Sequence, residues 1–375
     1  MKYCKSCLVT DLRPNSMFMK DGNCYPCHVL NTNHIDWERR LFDLKSIIEK
    51  LKSKNSSHDC LLGVSGGKDS TTQSLWAREK LGLNPLLVSI SYPPLQSTEL
   101  GYKNLENLLK LGFDIITIQP APITSCKLSK EAFLSQGNVL SYSEMALFSQ
   151  VPRYAIECGI NLILWGENVS MHVGDTGTLK KNIFDANGLY KMNTLTKIAK
   201  NLKLPHEAST AHLNSYIYPT EKELKKNNIN IVYLGPAMES WSMLNNGLIS
   251  VLNGFSPNST NSNLTGDYTK VAMLDEEFTH INNMIKYYKF GFGRATEFVC
   301  ESIRLGHISR EKAIKIVKKY DGVCSDKIIS KYCKYIEIKV DDFWYNVHKF
   351  TNKKLFKITN KTRPIPKFEV GINYE

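Results

Sequence analysis

Six consecutive residues, Ser65-Gly66-Gly67-Lys68-Asp69-Ser70, supply what an anion cradle requires. Gly66 and Gly67 lack a Cβ, so the backbone there can take positive φ and approach a phosphate closely. Lys68 adds a full positive charge, Ser65 and Ser70 add hydroxyl donors, and Asp69 offers a carboxylate to a Mg²⁺ ion. A turn that merely joins two elements needs none of these side chains together. The Walker A spacing is absent, because Gly63 and Gly67 enclose three residues and Lys68 is followed by Asp69. The loop follows the apolar run Cys60 to Val64 and precedes the helix-like TTQSLWAREKLG. That order reads as a buried parallel strand turning sharply into a helix, whose first N–H groups point at the anion.

A second constellation opens the chain: Cys4-Lys-Ser-Cys7, sixteen residues, then Cys24-Tyr-Pro-Cys27. Two CxxC knuckles at this separation can bring four thiolates onto one Zn²⁺, and so short a segment needs such a staple to hold its shape. Arg13-Pro14 and Asp21-Gly22 fall between the knuckles as turn residues. An iron–sulfur cluster can use the same four ligands. A covalent haem at Cys24–His28 requires export, and MKYCKSC is not a secretory leader.

The elements that must position the loop alternate. Strands are expected at 59–64, 85–91, 114–118, 161–165 and 229–234, with helices at 69–81, 99–111 and about 144–158. Such alternation implies an α/β fold: a five-stranded parallel sheet flanked by helices, with ligands at the carboxyl ends of the strands. Ser89, Ile90 and Ser91 end the second strand, where backbone groups can read an adenine; the plainer reading is ordinary strand residues. Gly166, Glu167 and Asn168 end the fourth, where Gly166 permits close approach and Glu167 can hold Mg²⁺ or a substrate hydroxyl, or simply cap a helix. Lys289, Arg294 and Arg304 flank the aromatic, Gly-rich turn KFGFGRATEF and can clamp a phosphate or carboxylate, or stand as solvated charges. Asn253 to Asp267 has the composition of an exposed loop, either a lid or an insert.

With 375 residues the chain has room for one large α/β domain and appendages. The boundaries expected are a knuckle at 1–31, a linking amphipathic helix at 32–57, the nucleotide domain at 58–250 and a basic, mainly helical region at 251–375. The formal net charge is +12, and the last 95 residues carry 20 Lys and Arg against 10 Asp and Glu. That bias attracts polyanions without choosing among them. No apolar run approaches a membrane span, and ten cysteines without a leader point to thiols in the cytoplasm rather than disulfides.

SGGKDS resembles the pyrophosphate loop of the N-type ATP pyrophosphatases, the PP-loop superfamily. Taken with the CxxC pair, TELGYKNLENLL, WGEN, KFGFGRATEF, IRLGHISREKA, KKYDG and FTNKKLFKI, it resembles the N-acetyl sugar amidotransferases of bacterial surface-glycan synthesis, those related to PseA and WbpG, and looks closest to the pseudaminic-acid type. The resemblance implies ATP and Mg²⁺ at Ser65–Ser70, Ser89–Ser91 and Gly166, with Lys68 and Asp69 catalytic, structural Zn²⁺ at the four cysteines, and an N-acetyl sugar held by Glu167, Asn168, Lys289 and Arg294. It further implies a separate HisH-like glutaminase and a HisF-like conduit supplying ammonia, with no membrane insertion and no nucleic acid. A tRNA-thiolating PP-loop enzyme is the rival reading. It needs further paired cysteines, and Cys60, Cys126, Cys158, Cys300, Cys324 and Cys333 are isolated in sequence.

Overall fold

The structure is a computed structural model, and it describes all residues except 33–34, 55, 168, 173, 175, 178–181, 190–212, 360–362 and 375. Elements are numbered among the described residues. Five parallel strands, β1 (Cys60–Val64), β2 (Pro85–Ile90), β3 (Ile115–Ile118), β4 (Leu162–Trp165) and β5 (Asn230–Tyr233), form one sheet in the order β3-β2-β1-β4-β5. All five expected strands are present, each within about a residue or two of its expected bounds. Because β2 lies on one side of β1 and β4 on the other, the carboxyl end of β1 is the topological switch point, where such sheets open a crevice for ligand.

Alternate strand residues point to opposite faces, and both faces are covered. Leu62, Val64, Leu87 and Leu164 pack with Leu44 and Ile48 of α2 (Trp37–Leu51) and Leu75 of α3 (Lys68–Leu81). Leu61, Val88, Ile163 and Ile231 pack with Leu128 of α5 (Pro122–Gln136) and with Met145 and Val151 of α6 (Ser141–Cys158). Burial on both sides explains why the strands read as apolar runs and not as alternation.

The knuckle, which includes α1 (Tyr25–Thr32), is not a separate bead. Its Cys4, Cys7 and Leu8 share one core with Ile281 and Ile285 of α11 (Thr279–Phe290), Val299 of α12 (Arg294–Arg304), Val317 of α13 (Arg310–Tyr320), Tyr332 of α14 (Asp326–Tyr335) and Phe343 of α15 (Val340–Phe350). The two ends of the chain also meet: Tyr374 N–H donates to the Met1 carbonyl at 2.8 Å, and Tyr3 N–H to Asn373 Oδ1 at 2.8 Å. Near the end of the chain two short strands pair antiparallel, β6 (Phe356–Lys357) with β7 (Ile365–Pro366).

Two segments differ from the sequence reading. The helix α5 is absent from it because the apolar residues of PITSCKLSKEAFLSQ are sparse and interleaved with small polar ones. The polar stretch 253–267 is anchored, not free: Asn104 of α4 (Glu99–Lys110) donates to the Ser256 carbonyl at 3.0 Å and accepts from Ser256 N–H at 2.7 Å. It also contains a short helix, α10 (Ser262–Thr265), so its composition concealed a tie to the sheet domain.

Candidate active site

Gly66 takes φ +77°, and a Cβ there would fall 2.6 Å from the backbone nitrogen of Leu105, so both conformation and space require glycine. Gly67 differs from expectation. It sits at φ −72° as the residue before α3, and no side chain caps the helix behind it. The N–H groups at the start of α3 are therefore left to a ligand. Ser65 Oγ accepts from Gly67 N–H at 3.3 Å, and Ser70 Oγ donates to the Gly67 carbonyl at 2.9 Å, so the two serines brace the turn.

The Lys68 side chain is only 3% exposed, and its ammonium pairs with Asp69. Burial alone would raise the Asp69 carboxyl, but Lys68, the Asn246 amide and Arg294 more than offset it and hold it below its ordinary value. Asn246, on α9 (Met243–Leu252), donates to Asp69 Oδ1 at 2.7 Å, and Ser250 of the same helix donates to the Lys68 carbonyl at 2.8 Å. A second helix thus fixes the loop from behind.

Gly166 lies at the end of β4, where a Cβ would fall 2.3 Å from Gln73 Oε1; Gln73 in turn donates to the Gly63 carbonyl at 2.7 Å. Glu167 is exposed at the same edge. The protein mass around it and the Asp69 charge raise its carboxyl to about 7. Asn168 lies outside the described residues. His172, on the short helix α7 (Val169–His172), stacks on Trp241 at 5.9 Å, and burial with the Arg304 charge lowers its pKa to about 3, so it is neutral at physiological pH. On the other side of β1, Ser89, Ile90 and Ser91 line one pocket together with Ser65 and Asp275.

Arg294 stands in a cluster that the sequence reading did not contain. Glu297 Oε2 accepts from Lys286 at 2.9 Å and from Arg294 at 3.1 Å, and its Oε1 pairs with Arg13 of the knuckle at 3.5 Å. Burial would raise Glu297, yet the three cations hold it at about 2. Three positive charges around one carboxylate leave an excess of two, and among the described residues the buried Nε–H groups of Arg13 and Arg294 have no acceptor. The cluster adjoins the loop: Arg294 lies 4.9 Å and Lys68 5.9 Å from the centroid of the Phe298 ring. Lys289 is not brought there. Its ammonium donates to the Gln136 carbonyl at 2.9 Å and lies over Phe350, joining α11 to α5 and α15.

The segments around GFGRAT and YDG meet in space. Asp321 accepts from the N–H groups of Gly293 at 2.7 Å and Ala295 at 2.9 Å, so it caps α12 and aims Arg294 and Glu297. The i, i+3 spacing of Arg294 and Glu297 was a readable signal; Arg13, Lys286, Asn246 and Asp275, brought in from distant segments, were not.

The Sγ atoms of Cys4, Cys7, Cys24 and Cys27 all lie within 4.8 Å of one another, and all four residues are buried. Cys4 Sγ accepts from Cys24 N–H at 3.3 Å and Cys7 N–H at 3.5 Å, donors that suit a thiolate. The four thiols fit a metal ion, and among the described residues no other group of this kind occurs.

Residues 265–369 match the family model "LPS biosynthesis protein WbpG-like, C-terminal domain". No curated protein sequence matches the chain. Among solved structures it is similar to the U34-tRNA thiolase NcsA from Methanococcus maripaludis with its 4Fe-4S cluster, at 13% identity and a TM-score of 0.31, over 82% of this chain and 87% of that one. It is also similar to the NH3-dependent NAD synthetase from Campylobacter jejuni in complex with nitrate, at 15% identity and a TM-score of 0.29, over 60% of this chain and 100% of that one.

The SGGKDS loop thus stands at the switch point of a five-stranded parallel sheet, the place where such sheets bind their ligands. Residues 265–369, which match the WbpG-like C-terminal domain model, supply Lys286, Arg294 and Glu297 to the cluster beside it.

Proposed function

We propose that the chain is an ATP-dependent N-acetyl sugar amidotransferase that converts an acetamido group into an acetamidino group for lipopolysaccharide or related surface-glycan synthesis. The observation that carries this reading is that Arg294 of the cationic cluster, within the WbpG-like match, and Lys68 of the loop lie 4.9 Å and 5.9 Å from the Phe298 ring centroid. One surface then serves the phosphates of ATP and the adjoining one serves a second substrate.

An amide carbonyl is a weak electrophile with a poor leaving group. The acetamido oxygen attacks the α phosphorus, the bond to the bridging oxygen breaks, and pyrophosphate departs, leaving an O-adenylated imidate. Ammonia adds to the imidate carbon, a proton is lost, and AMP leaves with the former amide oxygen to give the amidine. The chain's task is electrostatic. The N–H groups of the uncapped α3 and the Lys68 ammonium meet the charge that develops on pyrophosphate, a contribution on the order of 10²- to 10³-fold per well-placed donor. Asp69 and Glu167 are the carboxylates that would hold Mg²⁺, which would neutralise phosphate charge when bound. Arg294, with Arg13 and Lys286, would anchor the sugar. Ammonia would come from a separate HisH-like glutaminase through a HisF-like subunit, as the resemblance implies.

In this reading the knuckle holds zinc. Bonds of about 2.3 Å at tetrahedral angles set sulfurs roughly 3.8 Å apart, and Cys7 and Cys24 lie 3.7 Å apart. A four-iron cluster interposes its own irons and sulfides and holds its cysteines farther apart. The test of the function is mass spectrometry of candidate N-acetyl sugars, free and nucleotide-linked, incubated with the protein, ATP, Mg²⁺ and ammonium. Replacement of an oxygen by NH lowers the sugar mass by about one unit; a thiolated tRNA formed in a parallel incubation with a sulfur donor, with no sugar changed, would overturn the reading.

A further inference from the structure

With phosphates at Ser65–Ser70 and a base at Ser89–Ser91, a ribose would lie between them, at a pocket whose lining includes one residue of the segment that matches the WbpG-like domain. Asp275 lines the pocket that Ser65 shares with Ser89, Ile90 and Ser91. We propose that Asp275 binds the ribose hydroxyls of the nucleotide, so that the C-terminal domain completes the nucleotide pocket and selects ribo- over deoxyribonucleotides. The inference rests on the reading of this pocket as the ATP site.

The placement of Asp275 is enforced by backbone contacts. Ser97 and Glu276 form an antiparallel bridge, Glu277 N–H donates to the Gln96 carbonyl at 3.0 Å, and Thr98 N–H donates to the Asp275 carbonyl at 3.3 Å. The start of α4 leaves room for it only because residue 101 is glycine: a Cβ on Gly101 would fall 2.5 Å from Asp275 Cα. Thr98 serves both sides, accepting from Gly101 N–H at 2.9 Å as the helix cap while its hydroxyl donates to the Leu274 carbonyl. This gives a physical role to the TELG segment.

The chemistry of the carboxylate narrows the ligand. Ionised, it accepts and cannot donate, so it repels phosphate and suits a pair of hydroxyl donors. A ribose 2′,3′-diol next to the loop presents such a pair. The base is served from the other direction, by backbone groups at the end of β2. Ser65 then stands between the two functions: its oxygen accepts from Gly67 N–H at 3.3 Å on the loop side, and the same residue lines the pocket beside Asp275.

The test uses the full chain with Mg²⁺ and titration calorimetry against ATP, 2′-deoxy-ATP and 3′-deoxy-ATP. Wild type is expected to favour ATP over at least one deoxy analogue by about 10- to 100-fold, the worth of a hydrogen bond to a charged group. Asp275→Ala should weaken ATP by that factor and leave that deoxy analogue unchanged, and Asp275→Asn, which keeps one acceptor and the side-chain volume, should fall between. Wild type that binds all three equally overturns the assignment without reference to any variant, as does a variant that loses ATP and deoxy analogues in equal proportion. Wild type that binds no adenine nucleotide overturns the pocket reading itself, an outcome distinct from binding without selectivity.

Discussion

The side-chain amide of Asn246 donates to Asp69 Oδ1 at 2.7 Å, so the direction of the loop's carboxylate is set by a helix that lies 177 residues away in sequence. Asp69 is shared between this amide and the Lys68 ammonium, and both keep it ionised against the pull of burial. Asn246 is fully buried, and its own Oδ1 has no partner among the described residues.

Asn246→Ala should therefore loosen Asp69 without removing any group that touches the phosphates. The expected result is a 10- to 100-fold fall in the rate of AMP formation, corresponding to about 1.5–3 kcal/mol for a hydrogen bond to a charged group. Steady-state kinetics in rising Mg²⁺ checks it. A variant with unchanged kcat and unchanged Mg²⁺ dependence would show that the bond serves only packing.

The sheet was legible because each strand is a short apolar run broken by turn residues, and the loop because its residue types exceed what a turn needs. The knuckle was legible from spacing alone: the turns expected at Arg13-Pro14 and Asp21-Gly22 are formed, with Gly22 at φ +83°. What one sequence could not show is which distant segments converge. Arg13, Asn246, Asp275 and Lys286 belong to four separate stretches, and each is ordinary in its local pattern. Lys289 and Arg294 look equivalent on paper, five residues apart beside the same glycines. They part because Lys289 lies in the last turn of α11 and Arg294 begins α12 behind the Asp321 cap, so their side chains leave the turn in different directions.

The knuckle supplies Arg13 to Glu297, which ties metal content to the cationic cluster. Purified protein should contain about one zinc per chain by elemental mass spectrometry, and Cys4→Ser should lower zinc content, thermal stability and sugar turnover together. Iron in place of zinc, with the absorbance of an iron–sulfur cluster, would contradict the assignment of the metal.

Glu276 gives the fold a pH signature. It is 2% exposed, and burial, joined by the Asp275 charge, raises its carboxyl to about 8, while Gln96 and the Phe278 N–H pull the other way. A raised carboxyl contributes its full stability below the unfolded value near 4.5 and loses it as pH rises through about 8. Glu276→Gln removes that titration and keeps the acceptor for Phe278 N–H. Denaturant unfolding should find the variant gaining on wild type between pH 5 and pH 8, by on the order of 3 kcal/mol. Parallel pH profiles for the two proteins would contradict the assignment.

The central claim is that the loop grips the outer two phosphates of ATP so that bond breaking occurs at the α phosphorus. Chromatography of the nucleotide products, with and without the N-acetyl sugar and ammonium, tests it most directly. The account predicts AMP and pyrophosphate in equal amounts, dependent on the sugar, and a loss of at least about 100-fold in Lys68→Ala. ADP and orthophosphate as products, or an undiminished rate in that variant, would contradict it.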